Sequence, residues 1–173
     1  MDLWTAMNTR RSVRAFQPTE VSPDAVTRLL EAAIRAPSAG NRQPWHFIVV
    51  RRKEVRQRLA EAAHGQDFVA QAPVVIVICA EPERSATRYG TRGKEVYCLQ
   101  DTAAATEHIL LAATALGLGT CWVGAFDEDA AAQALGLPAR LRPVAMLPVG
   151  QTMGELSAAS ARRPLSEVVS FLD

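Results

Sequence analysis

Val74-Val75-Ile76-Val77-Ile78-Cys79 contains no charged or hydrogen-bonding polar side chain apart from its terminal thiol, and this run decides the fold class. A strand with one wet face alternates apolar with polar residues, whereas an unbroken, mostly β-branched run of this length suits a strand buried on both faces. Trp45 to Val50, Cys121 to Phe126 and Pro143 to Val149 are similar stretches and read as further buried strands. Helical patterns lie between them. Ser22 caps the clearest one, with Pro23 at its first position, Asp24 in its first turn, and Val26, Leu29, Leu30, Ala33 and Ile34 on one apolar face. Pro37 disfavours the helical conformation in the residue before it, so this helix is expected to stop near Ala36. Leu3 to Thr9, Lys53 to Ala63 and Tyr97 to Leu116 also read as helices. The last is apolar nearly all round, which places it at the centre of the fold or in a subunit interface. Asp127, Glu128 and Asp129 open a short helix that Gly136 and Pro138 close. Arg84 to Lys94 is basic and reads as a solvated loop, the alternative being a border of the substrate opening, and Gln151 to Ala161 reads as a loose polar stretch. The order of elements favours a sheet sandwiched by helices; pattern alone leaves α/β and α+β both open.

A chain of 173 residues fits one domain, residues 1–173, able to bury roughly two thirds of its unfolded surface. Hydrophobic residues make up 49% and charged residues 21%, the balance of an ordinary globular protein. The net charge of +1 supplies no field for gathering nucleic acid or an anionic membrane, so any positive site has to be local. Cys79, Cys98 and Cys121 sit in apolar runs, are odd in number and lack metal-ligand spacing, which suits reduced core residues of a cytoplasmic protein. Met1 to Arg10 has no apolar signal-peptide core, and no stretch approaches the roughly 20 apolar residues of a spanning helix. Neither secretion nor membrane insertion is expected.

Local chemistry concentrates in four segments. In Arg10-Arg11-Ser12-Val13-Arg14, guanidiniums and a hydroxyl offer planar forks of donors that match phosphate oxygens. The plainer reading is that Arg10 and Arg11 complement the negative C-terminal end of the preceding helix. Pro37-Ser38-Ala39-Gly40-Asn41-Arg42-Gln43-Pro44-Trp45 joins small residues, which permit close backbone approach, to amides that match an imide edge. It could equally be a turn built from turn-forming residues. Gly117 to Phe126 places Gly117, Gly119 and Gly124 before and inside a strand, where a ligand or simple packing could demand them; no dinucleotide fingerprint or phosphate-binding Gly-Lys-Ser/Thr loop occurs. Arg162-Arg163-Pro164-Leu165 puts basic residues before the apolar Val168, Val169 and Phe171. A surface ion pair is its plainer reading.

In this order and spacing the four segments resemble the FMN-dependent nitroreductase family, over nearly the whole chain. The resemblance implies an α+β fold of three α-β-α layers, with a mostly antiparallel central sheet flanked by helices. It also implies an intertwined homodimer with FMN at the subunit interface, the C-terminal tail crossing to the partner. Carried over residue by residue, it gives Arg10, Arg11, Ser12 and Arg162 to the FMN phosphate and Arg14 to the pyrimidine edge of the flavin. Pro37, Ser38, Ala39 and Asn41 would come from the other subunit. Trp122, Val123 and Gly124 would line the ring with their backbone, and Gln66 would contact the pyrimidine.

The implied activity is hydride transfer from NADH or NADPH through FMN to an oxidised small-molecule acceptor such as a nitroaromatic or quinone, in a ping-pong cycle. Such chemistry needs positioning rather than a side-chain nucleophile, and neither a metal site nor a catalytic triad is expected. Arg14 is the candidate for stabilising the negative charge that hydride addition leaves near the pyrimidine. Other readings are a specialised enzyme of the same fold (dehalogenase or flavin-destructase type), a non-catalytic flavin-binding protein, and a nucleic-acid module using Arg10 to Arg14 and Arg51 to Arg58. The last lacks aromatics for stacking bases.

Overall fold

The computed structural model describes every residue except Ser157 and Asp173. Four antiparallel strands, β1 (Trp45–Val50), β2 (Val74–Ala80), β3 (Gly119–Thr120) and β4 (Arg142–Gly150), form one sheet in the order β1-β2-β4-β3. Seven α-helices lie among the described residues: α1 (Leu3–Thr9), α2 (Pro23–Ala33), α3 (Lys53–Ala62), α4 (Phe68–Gln71), α5 (Pro82–Arg92), α6 (Cys98–Ala115) and α7 (Glu128–Leu135). The fold is α+β, with helices on both faces of an antiparallel sheet.

The continuous apolar run has a direct structural cause. Every residue of β2 is buried, and its side chains alternate between two cores. Val74, Ile76 and Ile78 join Leu29 and Ala33 of α2 and Ile109 and Ala113 of α6. Val75, Val77 and Cys79 join Val55 and Leu59 of α3 and Ala131 of α7 on the other face. β4 repeats the pattern, giving Leu147 and Val149 to the first core and Met146 to the second. The helix boundaries follow the expected signals: Ser22 Oγ accepts from Ala25 N at 3.1 Å, Asp127 Oδ1 accepts from Ala130 N at 2.9 Å, and Gly136 closes α7 at φ +63°.

Three expectations fail for physical reasons. Trp45 to Val50 is not buried on both faces, because β1 is an edge strand that pairs only with β2 and leaves His46 and Val49 exposed. Cys121 to Phe126 is not a continuous strand. Pairing stops at Thr120 and resumes only where Val123 exchanges both amide bonds with Met146, at 2.9 and 3.0 Å. Amides two apart face the same side of a strand, so the missing N–H of Pro148 falls on this side of β4, where the ladder is interrupted. Arg84 to Lys94 is not a loop. Pro82 starts α5, the helix kinks at Gly90 (φ +54°), and a π-helical turn over Gly93–Tyr97 leads into α6. α2 also ends earlier than expected, at Ala33, with Ile34 exposed, and α4 has no counterpart in the sequence reading.

The N-terminal segment after α1 is threaded onto the sheet. Ser12 makes a parallel bridge with Thr120, Val13 N donates to Thr120 O at 2.8 Å, and Gln17 N donates to Gln151 O at 2.8 Å. Gly119 makes this approach possible. A Cβ there would lie 2.7 Å from Thr152 Oγ1 and 2.9 Å from the Val13 methyls.

Gly119→Ala should therefore lower stability by about 1 to 3 kcal/mol through overpacking. Chemical denaturation measures this, and an unchanged midpoint would show that the contact is soft. Burial pushes the Cys79 thiol up to about 12 from its ordinary 9.0. Because the thiolate is the reactive form, Cys79 should resist a thiol reagent at pH 8 until the chain unfolds. Folding holds this proton more tightly, so Cys79 makes stability fall as pH rises above 9.0, and pH-dependent denaturation reads that slope.

Candidate functional site

The segment between α1 and α2 is tied to the sheet by two isolated bridges, at Ser12 and Phe16. Val13 and Phe16 are buried with Ala72, with Phe68 packed against them, while Ser12 and Arg14 are exposed. Backbone pairing on both sides holds it, with Thr120 at one end and Gln151 to Met153 at the other. The flanking arginines are displayed from a segment anchored by backbone bonds instead of from a free loop.

Arg10, Arg11, Ser12 and Arg14 line one cavity of about 370 Å³ together with Met7, Asn8 and the 158–162 segment, which brings in Arg162. Residues about 150 positions apart thus share a wall. The lining contains no carboxylate, and among the described residues none of its four arginines forms an ion pair. Arg11 Nη1 donates to Asn8 O and Arg10 O, each at 2.8 Å, so part of its fork closes the end of α1, as the plainer reading supposed. Arg162 Nη1 donates to Ser160 O at 3.0 Å, and Arg14 lies over the Phe68 ring at 5.9 Å. Beneath them, burial raises the Cys121 thiol; the nearby Arg14, Ser12 and Arg10 pull the other way without overcoming it.

Trp122, Val123 and Gly124 follow directly. Val123 is buried and tied to Met146, while Trp122 and Gly124 are exposed. Gln66 Nε2 donates to Ala63 O at 3.0 Å and Ala125 O at 3.2 Å, fastening the end of α3 to this stretch. Within one chain, Pro37, Ser38, Ala39 and Asn41 do not line the arginine cavity. They occupy a separate turn in which Gly40, Asn41 and Gln43 all have positive φ, near +50°.

That turn is held by residues the sequence reading missed. Asp101 of α6 accepts from Ala39 N at 3.1 Å through Oδ1, and burial raises its carboxyl above the ordinary range. Ser38 Oγ accepts from Gln43 N at 3.0 Å. Arg42 donates to Arg84 O at 3.0 Å and Thr87 Oγ1 at 2.6 Å, while Arg84 Nε returns a bond to Arg42 O at 2.6 Å. The signal for these partners was Pro82, a helix-start residue ahead of Arg84 and Thr87.

The donor set fits FMN. Guanidinium forks and a hydroxyl with no carboxylate in the same cavity lining suit a phosphate, and Trp122 and Gly124 are exposed. Among the described residues no helix is long and apolar enough to cross a membrane, and no cluster of potential metal ligands occurs.

The sequence profile described as the nitroreductase family matches residues 7–66 and 63–151. A relative from Archaeoglobus fulgidus, provisionally named NADH dehydrogenase/NAD(P)H nitroreductase, is 38% identical over 151 residues, covering 85% of this chain and 83% of its own. A nitroreductase family protein from Clostridium difficile 630 superposes with a TM-score of 0.87 at 33% identity, covering 99% of this chain and 98% of its own. An FMN-dependent nitroreductase from Clostridium difficile R20291 gives 0.82 at 26% identity, with 96% of each chain covered. The profile match takes in Arg10 to Arg14 and ends before Arg162, the superposition spans nearly the whole chain, and the chain belongs to the nitroreductase family.

Proposed function

We propose that this chain is an FMN-dependent oxidoreductase that passes hydride from NADH or NADPH to an oxidised small-molecule acceptor such as a nitroaromatic or quinone, donor and acceptor taking turns at one site. The observation that carries the reading is the cavity in which Arg10, Arg11, Arg14 and Arg162 converge without a carboxylate. FMN, when bound, supplies the hydride chemistry. The names of the relatives support both the cofactor and the donor.

The chain's own residues then have separate tasks. Arg10, Arg11, Ser12 and Arg162 hold the phosphate, the guanidiniums supplying charge-assisted bonds. Arg14, mounted one residue beyond the buried Val13 and resting over Phe68, keeps a positive charge at the pyrimidine edge. Trp122, Val123 and Gly124 cover the ring with backbone, while Gln66 contacts the pyrimidine. No side chain need form a covalent bond, because orientation and water exclusion do the catalytic work.

Pro37, Ser38, Ala39 and Asn41 reach the flavin from a second copy of the chain in this reading. Exposed apolar residues support a homodimer: Leu3, Trp4 and Met7 on α1, and Leu165, Val168, Val169, Phe171 and Leu172 in the tail. These residues give the tail an apolar reason to cross onto its partner.

Purified protein should gain the absorbance of bound oxidised flavin on titration with FMN and bleach anaerobically with NADH or NADPH; failure to bind FMN would sink the proposal. Arg10→Ala should weaken FMN binding roughly ten- to hundredfold, from the loss of a charge-assisted contact worth about 1.5 to 3 kcal/mol. An unchanged dissociation constant would remove Arg10 from the phosphate site. Trp4→Asp should shift sedimentation towards monomer and reduce flavin retention in parallel; a monomer that keeps FMN at full affinity would refute the shared site.

A further inference from the structure

We propose that Arg88 and Arg92, on the α5 segment bordering the Ser38–Asn41 turn, bind the phosphate groups of the pyridine-nucleotide donor. This rests on the flavin reading and deepens it: the Ser38–Asn41 turn is proposed to reach the flavin held by the second copy, so the pair would serve the donor at that flavin.

The two guanidiniums are held by two tyrosines. Arg88 lies over the Tyr89 ring at 5.4 Å, and Arg92 over the Tyr97 ring at 5.2 Å, with Arg92 Nε donating to Tyr97 Oη at 3.0 Å. The rings meet edge to face at 5.1 Å, so the two arginines share one aromatic support. A guanidinium supported by a ring face does not spend its N–H donors on that contact, which leaves Nη donors for phosphate oxygens.

These donors lack protein acceptors. Among the described residues Arg88 makes no hydrogen bond or ion pair, and Arg92 makes only the Tyr97 bond. Glu83, on the same helix, is engaged by Lys94 at 2.5 Å. Both arginines are exposed, and each bears an unsatisfied positive charge at little cost in water.

Position selects the ligand. A Cβ on Gly40 would lie 3.1 Å from Arg88 Nη1 and 3.3 Å from Arg88 Cδ and would collide with the Tyr89 hydroxyl, so Arg88 and Tyr89 cover the turn proposed to reach the flavin. Arg42 and Arg84 lock α5 to that turn through reciprocal bonds. A dinucleotide donor must present its nicotinamide at the flavin and extend its phosphates outward. The pair of arginines lies beside this turn, and its small size and the chain's net charge of +1 do not suit a nucleic-acid track.

The test uses the flavin-loaded protein and its Arg88→Gln and Arg92→Gln variants, with the aliphatic stems retained. Calorimetry with ADP-ribose and with 2′-phospho-ADP-ribose, which lack nicotinamide, reads phosphate binding directly. The variants should bind these fragments about tenfold or more weakly, as expected for a lost charge-assisted bond. In anaerobic stopped flow the donor concentration for half-maximal flavin reduction should rise comparably, with the limiting rate and reoxidation by menadione unchanged. A loss confined to the 2′-phosphorylated fragment and NADPH assigns the 2′-phosphate; an equal loss with ADP-ribose and NADH assigns the pyrophosphate. Unchanged fragment binding, or equal loss of flavin affinity and of the menadione half-reaction, overturns the proposal. Wild-type protein that binds the fragments but never FMN would refute the flavin reading alone.

Discussion

β2 leaves no face for solvent, and the rest of the molecule is arranged around that demand. Its even-numbered residues enter the core with α2 and α6, and its odd-numbered residues the core with α3 and α7. Each buried aliphatic side chain contributes on the order of 1.5 to 3 kcal/mol relative to exposure, so exposing either face would forfeit several such contributions. Helices on both sides are required, and the three layers follow. The antiparallel neighbours β1 and β4 satisfy the backbone of this dry strand.

This layered body fixes the candidate site through its edge. β4 continues beyond β3 as Gln151 to Met153, and there it meets the chain segment carrying Ser12 and Arg14. Val13 and Phe16 bury their side chains while the polar residues remain outside, so packing energy holds the charges in place. Like-charged guanidiniums repel, and their convergence costs free energy in the absence of an anion. The proposed phosphate recognition is what would offset that cost. The Ser38–Asn41 turn is fixed separately, by Asp101 and the arginine bonds to α5.

Local signals carried far where the determinant was local. Ser22 and Asp127 mark their helices because a side-chain oxygen caps an amide three residues on, and Gly136 marks a stop because it takes positive φ. Burial of β2 on both faces was likewise legible in its missing polar alternation. The strand expected over Cys121 to Phe126 was less secure, since apolar, β-branched composition cannot reveal an interrupted partner ladder. The helical character of Arg84 to Arg92 was obscured by charge and by Gly90, although Pro82 signalled its start.

The sequence by itself determined that β2 is dry on both faces, where helices are capped, and which segments concentrate guanidinium, hydroxyl and amide side chains. Those properties reside in side-chain type and spacing over a few residues. Only tertiary structure decided that β1 is an edge and that Asp101 supports Ala39, and it brought Arg10 and Arg162, paired beforehand only by the family resemblance, into one cavity. These are long-range pairings, chosen by simultaneous packing of both cores and satisfaction of the backbone, and no local pattern encodes the partner.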